Sequence, residues 1–210
     1  MQKIKTIIFD LGGVIINLYV EKTIAAFARL SGYTEKKVEE AYESADIFKH
    51  YEKGLVSDEA FRQRLSAEFN VGATEDEIDT AWNAMLGDIP YDRIESIKSV
   101  MQNYKCIVLS NTNSIHERAF HKILSDSFPY PHLKDLFHEV YFSHELNQRK
   151  PDKEIYQKVL IQSQTGAGEA LFLDDSQLNL DAASKLGIHT LHIPRNSGFM
   201  KSLDDKLSEI

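Results

Sequence analysis

The chain is short of the residues that would place it outside the ordinary globular class. It has a single cysteine, Cys106, in 210 residues. No internal disulfide can form, and its place in the run Cys106-Ile107-Val108-Leu109 reads as core packing, not as a reactive thiol. No stretch approaches the roughly 18 consecutive apolar residues of a membrane span, and the N-terminus enters a strand pattern at once, without the apolar segment of a secretion signal. A cytoplasmic location without membrane contact is therefore expected. Positive charge is scarce too: 24 Lys and Arg against 32 Asp and Glu give a net charge of −8. That sign repels a polyphosphate backbone, and no Lys/Arg cluster with interleaved aromatics offsets it, so nucleic acid is not an expected partner. The eight histidines are scattered, with no H-E-x-x-H and no His/Cys cluster to suggest zinc. Ser110 has no Gly-x-Ser-x-Gly around it, which argues against a serine hydrolase. What is left is a chain with 42% hydrophobic and 27% charged residues, long enough for one large domain or one domain with a smaller insert.

The stretch that orders the rest is Ile4-Lys5-Thr6-Ile7-Ile8-Phe9-Asp10, followed by Leu11-Gly12-Gly13-Val14. A run of β-branched and apolar residues describes a buried parallel strand, and the glycine pair marks a turn that leaves Asp10 at the sheet edge. Open α/β sheets bind ligands at that edge. Taken alone, Asp10 is explained as well by a turn or cap residue as by a nucleophile or a metal ligand. From Asn17 to Asp88 the periodicity is helical. Val20, Ile24, Phe27, Ala28 and Leu30 share a face that stops at Ser31-Gly32, and a polar helix covers Thr34 to Glu43. Ser57 caps a helix carrying Phe61, Leu65 and Phe69; Thr74 and Glu77 form a capping box ahead of Ile78, Ala81, Trp82 and Met85. Four or so helices and no strand are predicted there.

After Ile89-Pro90 strand and helix alternate, the pattern of a parallel sheet with right-handed crossovers. Strands are predicted at Cys106–Leu109, His138–Phe142, Ala170–Leu173 and Ile188–Ile193, with a helix before the first and between each pair. The aromatics Phe128, Tyr130, Phe137, Tyr141 and Phe142 read as core or loop anchors. The predicted fold class is α/β, a doubly wound parallel-sheet core made of residues 1–16 and 89–210, with a small α-helical cap, residues 17–88, inserted into it.

Four predicted strand or loop ends carry the chemistry. Asp10, Ser110-Asn111 and Asp174-Asp175 close strands, and Lys150, just ahead of Pro151, sits at a helix entry. In a parallel sheet these ends point to one edge, so groups 100 or more residues apart converge. Three crowded carboxylates raise one another's pKa unless a cation neutralises them, and hard oxygen ligands suit Mg²⁺. Beside them the Ser110 hydroxyl, the amides of Asn111 and Thr112 and the Lys150 ammonium form an anion cradle. A phosphoryl group fits between the two halves.

The ordered set Phe9-Asp10-Leu11-Gly12-Gly13-Val14, Leu109-Ser110-Asn111-Thr112, Lys150-Pro151-Asp152 and Leu173-Asp174-Asp175 resembles the haloacid dehalogenase (HAD) superfamily, most of whose members are Mg²⁺-dependent phosphatases. Within it, Tyr51-Glu52-Lys53-Gly54, Ser57-Asp58-Glu59-Ala60-Phe61, Ser110-Asn111-Thr112-Asn113 and Arg149-Lys150-Pro151 look most like the α-D-glucose-1-phosphate phosphatase group. The epoxide hydrolase N-terminal phosphatase domain is a neighbour. The resemblance implies a small phosphorylated metabolite as substrate, glucose 1-phosphate favoured. It implies Asp10 as the nucleophile that forms an aspartyl-phosphate, and Mg²⁺ held by Asp10, the Gly12 carbonyl and Asp175, with Asp174 in support. Ser110, Asn111, Thr112 and Lys150 are implied as phosphate-binding, with Lys150 also keeping the carboxylates ionised.

One position departs from the pattern. Most of these phosphatases carry an Asp two residues after the nucleophile as general acid and base, and here Gly12 stands in its place. A missing general acid typically costs on the order of 10²–10⁴ in rate. Three outcomes follow: a leaving group that departs with little protonation, a substitute acid, or a weakly active phospho-ligand-binding or regulatory protein. His50 in the cap is the expected substitute and His116, just past the second motif, the reserve. A dehalogenase proper fits poorly, since carboxylates suited to a metal have no use in a metal-independent reaction.

Overall fold

In the computed structural model, which describes residues 3–210, the opening strand β1 (Thr6–Phe9) runs up the middle of a five-stranded sheet. It is shorter than its sequence pattern, although Asp10 still bonds through its N–H to the Leu173 carbonyl at 2.8 Å. Six helices follow before the next strand, and the first five form the insert: α1 (Val20–Ser31), α2 (Glu35–Ser44), α3 (Ile47–Glu52), α4 (Asp58–Phe69) and α5 (Glu75–Asn83). Their ends obey local chemistry. Gly32 closes α1 at φ 70°, the hydroxyls of Thr34 and Ser57 accept from the amides of Lys37 and Ala60, and Thr74 and Glu77 form the expected capping box. The six-residue α3 has no side-chain cap, which is why the sequence pattern does not reveal it.

The rest alternates: α6 (Tyr91–Val100), β2 (Lys105–Ser110), α7 (Ser114–Ser127), β3 (Glu139–Phe142), α8 (Ser143–Leu146), α9 (Lys153–Gln162), β4 (Ala170–Asp174), α10 (Gln177–Ser184), β5 (His189–His192) and α11 (Met200–Glu209). Neither the single turn α8 nor the C-terminal α11 is foreseen by the sequence reading. All strands are parallel in the order β3-β2-β1-β4-β5. The chain builds outward from β1 on one side and then returns to its other side at β4, so the topological switch point falls on β1. Phe9 pairs with Val108 and with Leu173, which brings Asp10, Ser110 and Asp174 to one edge.

Alternation along the strands sends Ile7, Phe9, Val108 and Leu173 into the core of one sheet face, and Ile8, Ile107, Leu109 and Phe172 into the other. Helices α1–α5 hold a third cluster around Phe27, Phe48, Phe61, Leu65, Phe69 and Trp82, into which only Ile115 of α7 intrudes as a fully buried residue from outside. Each such side chain contributes roughly 1.5–3 kcal/mol on burial, so the inserted helices have a core of their own. They join the sheet through two neighbouring segments. The Asn17 amide bonds to the Asp88 carbonyl at 2.9 Å, the Gly87 amide to the Asn17 carbonyl at 2.7 Å and the Tyr19 amide to the Met85 carbonyl at 2.8 Å, an antiparallel pairing with a bridge between Leu18 and Leu86. No helix among the described residues is long and apolar enough to cross a membrane.

Candidate active site at the sheet edge

Asp10 lies buried at the tip of β1. Its Oδ1 accepts from the Leu11 amide at 2.7 Å and pairs with Lys150 Nζ at 2.8 Å, while the same ammonium reaches Asp174 Oδ2 at 2.7 Å. Lys150 is 1% exposed. Burial opposes its charge, but Asp10 and Asp174 overcome that and hold the ammonium protonated. The backbone of Lys150 is fixed as firmly: its amide donates to Asn111 Oδ1 at 2.8 Å and its carbonyl accepts from Asn111 Nδ2 at 2.9 Å. Asn111 therefore clamps the lysine loop to the end of β2.

Asp174 is saturated. Besides Lys150 it accepts from the Ser176 amide at 2.8 Å and from Asn179 Nδ2 at 3.1 Å. Asp175 is held through Oδ2 by Arg195 Nε at 2.6 Å. Gly13, at φ 83°, makes room for it, since a Cβ there would sit 2.8 Å from Asp175 Oδ2. Among the described residues Asp10 Oδ2 and Asp175 Oδ1 accept no protein hydrogen bond. Ligand atoms of Asp10, Asp174 and Asp175 lie within 4.8 Å of one another. Burial pushes the Asp10 carboxyl up to about 7; Lys150 pulls it down and Asp174 and Asp175 raise it again. The donor set fits a hard divalent ion, which would relieve the repulsion and return Asp10 to the ionised state a nucleophile needs.

The loop after β5 completes this edge and is not foreseen by the sequence reading. The Asn196 amide donates to the Gly13 carbonyl at 2.7 Å. Its side chain accepts from the Leu18 amide at 2.8 Å and donates to the Leu18 carbonyl at 3.1 Å. Arg195 and Asn196 so staple the β1 turn to the far side of the sheet.

Above the edge is a cavity of about 120 Å³ lined below by Leu11, Gly12 and Ser110–Asn113 and above by Tyr42, Glu52 and Trp82. Ser110, buried at 3% exposure, makes only a long 3.4 Å contact with the Asn111 carbonyl, so its hydroxyl can turn to a ligand. Thr112 is a correction. Its amide, expected to meet an anion, donates to Ser143 Oγ at 2.9 Å, and that hydroxyl returns a bond to the Thr112 carbonyl at 3.1 Å. The amide is engaged in joining β2 to α8. Its side chain still lines the cavity.

His50 is a second correction. It is exposed on α3 and faces a surface cleft with Asp46, Val56, Ala60 and Arg64. The reason is helix rotation: two residues on, about 200° round the axis, Glu52 faces the cavity. There Arg149 Nε donates to Glu52 Oε2 at 2.7 Å. His116 does line the cavity, but its ring stacks on Trp82 at 4.7 Å, its Nδ1 lies 2.8 Å from Asn83 Oδ1, and burial holds its pKa down at about 3. It remains neutral and structural.

The histidines, scattered in sequence, are not all scattered in space. His121 Nδ1 lies 3.3 Å from His132 Nδ1, and His144 Nε2 lies 3.1 Å from Glu117 Oε2 beside Glu145. These contacts join α7, α8 and the loop that carries His132, and among the described residues they leave the buried His121 Nε2 and His144 Nδ1 without a hydrogen-bond partner.

The site can thus hold a phosphoryl group between a carboxylate cluster and a buried cation. Residues 4–187 match the haloacid dehalogenase-like hydrolases, and the chain belongs to that family. It is 29% identical over 195 residues to D-ribitol-5-phosphate phosphatase of Bacteroides thetaiotaomicron, covering 92% of this chain and 93% of that protein. Among solved structures, a HAD family enzyme of B. thetaiotaomicron in complex with magnesium and inorganic phosphate superposes with a TM-score of 0.86 at 32% identity, over 95% of this chain and 98% of the other. A HAD-like family hydrolase of Porphyromonas gingivalis gives 0.88 at 28% identity over the whole of both chains.

Proposed function

We propose that the protein is a Mg²⁺-dependent phosphatase that hydrolyses a small sugar or polyol phosphate through an aspartyl-phosphate on Asp10. The observation that carries this reading is the shared ammonium of Lys150, 2.8 Å from Asp10 and 2.7 Å from Asp174, set beside two carboxylate oxygens that have no hydrogen-bond partner among the described residues. A carboxylate oxygen of Asp10 attacks phosphorus while Lys150 and the Leu11 amide hold the carboxylate in place. Lys150 and the Ser110 hydroxyl stabilise the charge on the transferring group, so catalysis is largely positioning and electrostatics. Asp10, Asp175 and the Gly12 carbonyl would hold the ion, with Asp174 orienting Lys150 instead of ligating. Magnesium, when bound, supplies charge neutralisation at the phosphoryl oxygens.

The relative that acts on D-ribitol 5-phosphate and the neighbour solved with magnesium and phosphate support this reading. They also support turnover over the alternative of a phospho-ligand binder, and they are the reason open-chain polyol phosphates stand beside glucose 1-phosphate as proposed substrates. The test is phosphate release with Mg²⁺ from D-ribitol 5-phosphate, glucose 1-phosphate and p-nitrophenyl phosphate, by wild type and by Asp10→Asn. Release from at least one, abolished by Asp10→Asn and by chelation of the metal, is expected. Wild-type release no greater than that of Asp10→Asn on all three would refute the reading.

A further inference from the structure

Gly12 leaves a chemical gap at the site. The alkoxide of a sugar or polyol departs readily only if it is protonated as its bond to phosphorus breaks, and glycine has no proton to give. The cavity above Gly12 has three ionisable side chains in its lining: Tyr42, His116 and Glu52. Tyr42 is pushed by burial up to about 12. His116 is held at about 3, stacked and hydrogen-bonded. Neither exchanges a proton readily near neutral pH.

We propose that Glu52, on the last turn of α3, is the general acid and base of the reaction, acting from the inserted helices in place of the side chain that Gly12 lacks. The inference rests on the phosphatase reading above. Arg149 orients the carboxyl through Oε2 at 2.7 Å, and Oε1 accepts no protein hydrogen bond among the described residues. Arg149 directly precedes Lys150, so the arm that aims Glu52 belongs to the same clamped loop that holds Asp10. The turn beyond α3 is fixed as well. Lys53 pairs with Asp152 at 2.8 Å, and Asn147 Nδ2 donates to the Lys53 carbonyl at 3.0 Å.

The charged and titratable groups facing Glu52 are Arg149 and Lys150 below it and Tyr42 of α2 beside it. Burial pushes its carboxyl up, Arg149 and Lys150 draw it partly back, and the result lies above the ordinary carboxylate range. That direction suits a group that must both give and take a proton. In the first step an Asp10 oxygen bonds to phosphorus, the bond from phosphorus to the ester oxygen breaks with its electron pair on oxygen, and Glu52 passes its proton to that oxygen. The alcohol leaves. In the second step the Glu52 carboxylate takes a proton from water as the water oxygen bonds to phosphorus. The bond to Asp10 breaks, which releases inorganic phosphate and restores both carboxyls.

The experiment separates the two halves by leaving group. First-turnover rates are measured with D-ribitol 5-phosphate, which needs a protonated leaving group, and with p-nitrophenyl phosphate, which does not. Wild type, Glu52→Gln, Glu52→Asp and Asp10→Asn are compared. Expected is a fall of about 10²–10⁴ for Glu52→Gln on the polyol phosphate, a change under about tenfold in the first-turnover burst of p-nitrophenolate, and partial recovery in Glu52→Asp. An equal fall on both substrates would make Glu52 a structural residue and overturn the proposal. So would unchanged rates on both. If wild type itself releases nothing beyond the Asp10→Asn background, it is the phosphatase reading that fails.

Discussion

The sheet edge beneath the cavity, the floor, is made by the ends of β1, β2 and β4 and grips its polar side chains at several points each. Lys150 is bonded through its ammonium, amide and carbonyl, and Asp174 has three partners. The roof, made by α2, α3 and α5, is different: Tyr51 stacks on Phe61 at 3.9 Å, Phe48 on Trp82 at 5.3 Å, and Glu52 is held by one arginine. A preorganised floor suits chemistry that never changes, because electrostatic stabilisation works best when nothing has to reorient. A roof of packed rings with one acid at its rim can vary its shape without disturbing the floor. Under the mechanism proposed above, phosphoryl transfer belongs to the sheet and the handling of the leaving group to the helices.

Breaking the floor has the largest expected effect. Lys150→Met leaves two buried carboxylates without their cation and is expected to destabilise the metal-free protein by about 3–5 kcal/mol, read from urea denaturation. Adding Asp174→Asn should return part of that loss, since it removes one of the stranded charges. The roof is best tested at Gly54. This residue follows α3 at φ 65°, and a Cβ would overlap the His144 carbonyl oxygen. Gly54→Ala is expected to cost roughly 1–3 kcal/mol and, by backing α3 off the loop, to slow hydrolysis of a polyol phosphate more than that of p-nitrophenyl phosphate.

The seam between the two regions is sensitive to acid. His116 is neutral in the folded chain, with a pKa of about 3, against an ordinary value of 6.5, so below pH 6.5 the unfolded chain binds a proton that the folded chain refuses. Stability from this group is complete above that pH and falls as pH drops towards 3, by about 1.4 kcal/mol per unit where the two states differ by a full proton. Denaturation midpoints from pH 7.5 to 4.5 should show the slope, and His116→Phe should flatten it. The smallest effect belongs to the rim. Arg195 is half exposed where it meets Asp175, and Arg195→Ala should change stability by less than about 1 kcal/mol. A larger loss would mean that the floor extends to the β5 loop.

The sheet and the floor were legible in the sequence because strand ends announce themselves. A run of apolar residues closing in Asp10, Ser110 or Asp174-Asp175 fixes both the strand and the direction of its last side chain. The roof was not legible to the same degree. Choosing between His50 and Glu52 requires the rotation of α3, a helix too short and too poorly capped to show a period. Arg195 and Asn196 lie in an irregular loop, where no periodicity ties a residue to the β1 turn across the sheet. The engagement of the Thr112 amide by Ser143 depends on α8, a single turn with no pattern of its own. Scattered histidines that meet at the α7–α8 surface show the same limit, since proximity between loops is set by topology and not by spacing.

The paired segments Asn17–Tyr19 and Met85–Asp88 give the molecule an unusual freedom of composition. Entry to and exit from the inserted helices run side by side, with backbones about 5 Å apart as antiparallel neighbours are. Everything between them is, to the rest of the chain, a parenthesis. A lineage or an engineer could exchange that parenthesis for one of another size and sequence, provided that the replacement begins and ends side by side, covers Ile115 of α7 and returns an acid to the place of Glu52. Acquiring a new substrate would then be a matter of splicing, with the reactive carboxylate left where it was.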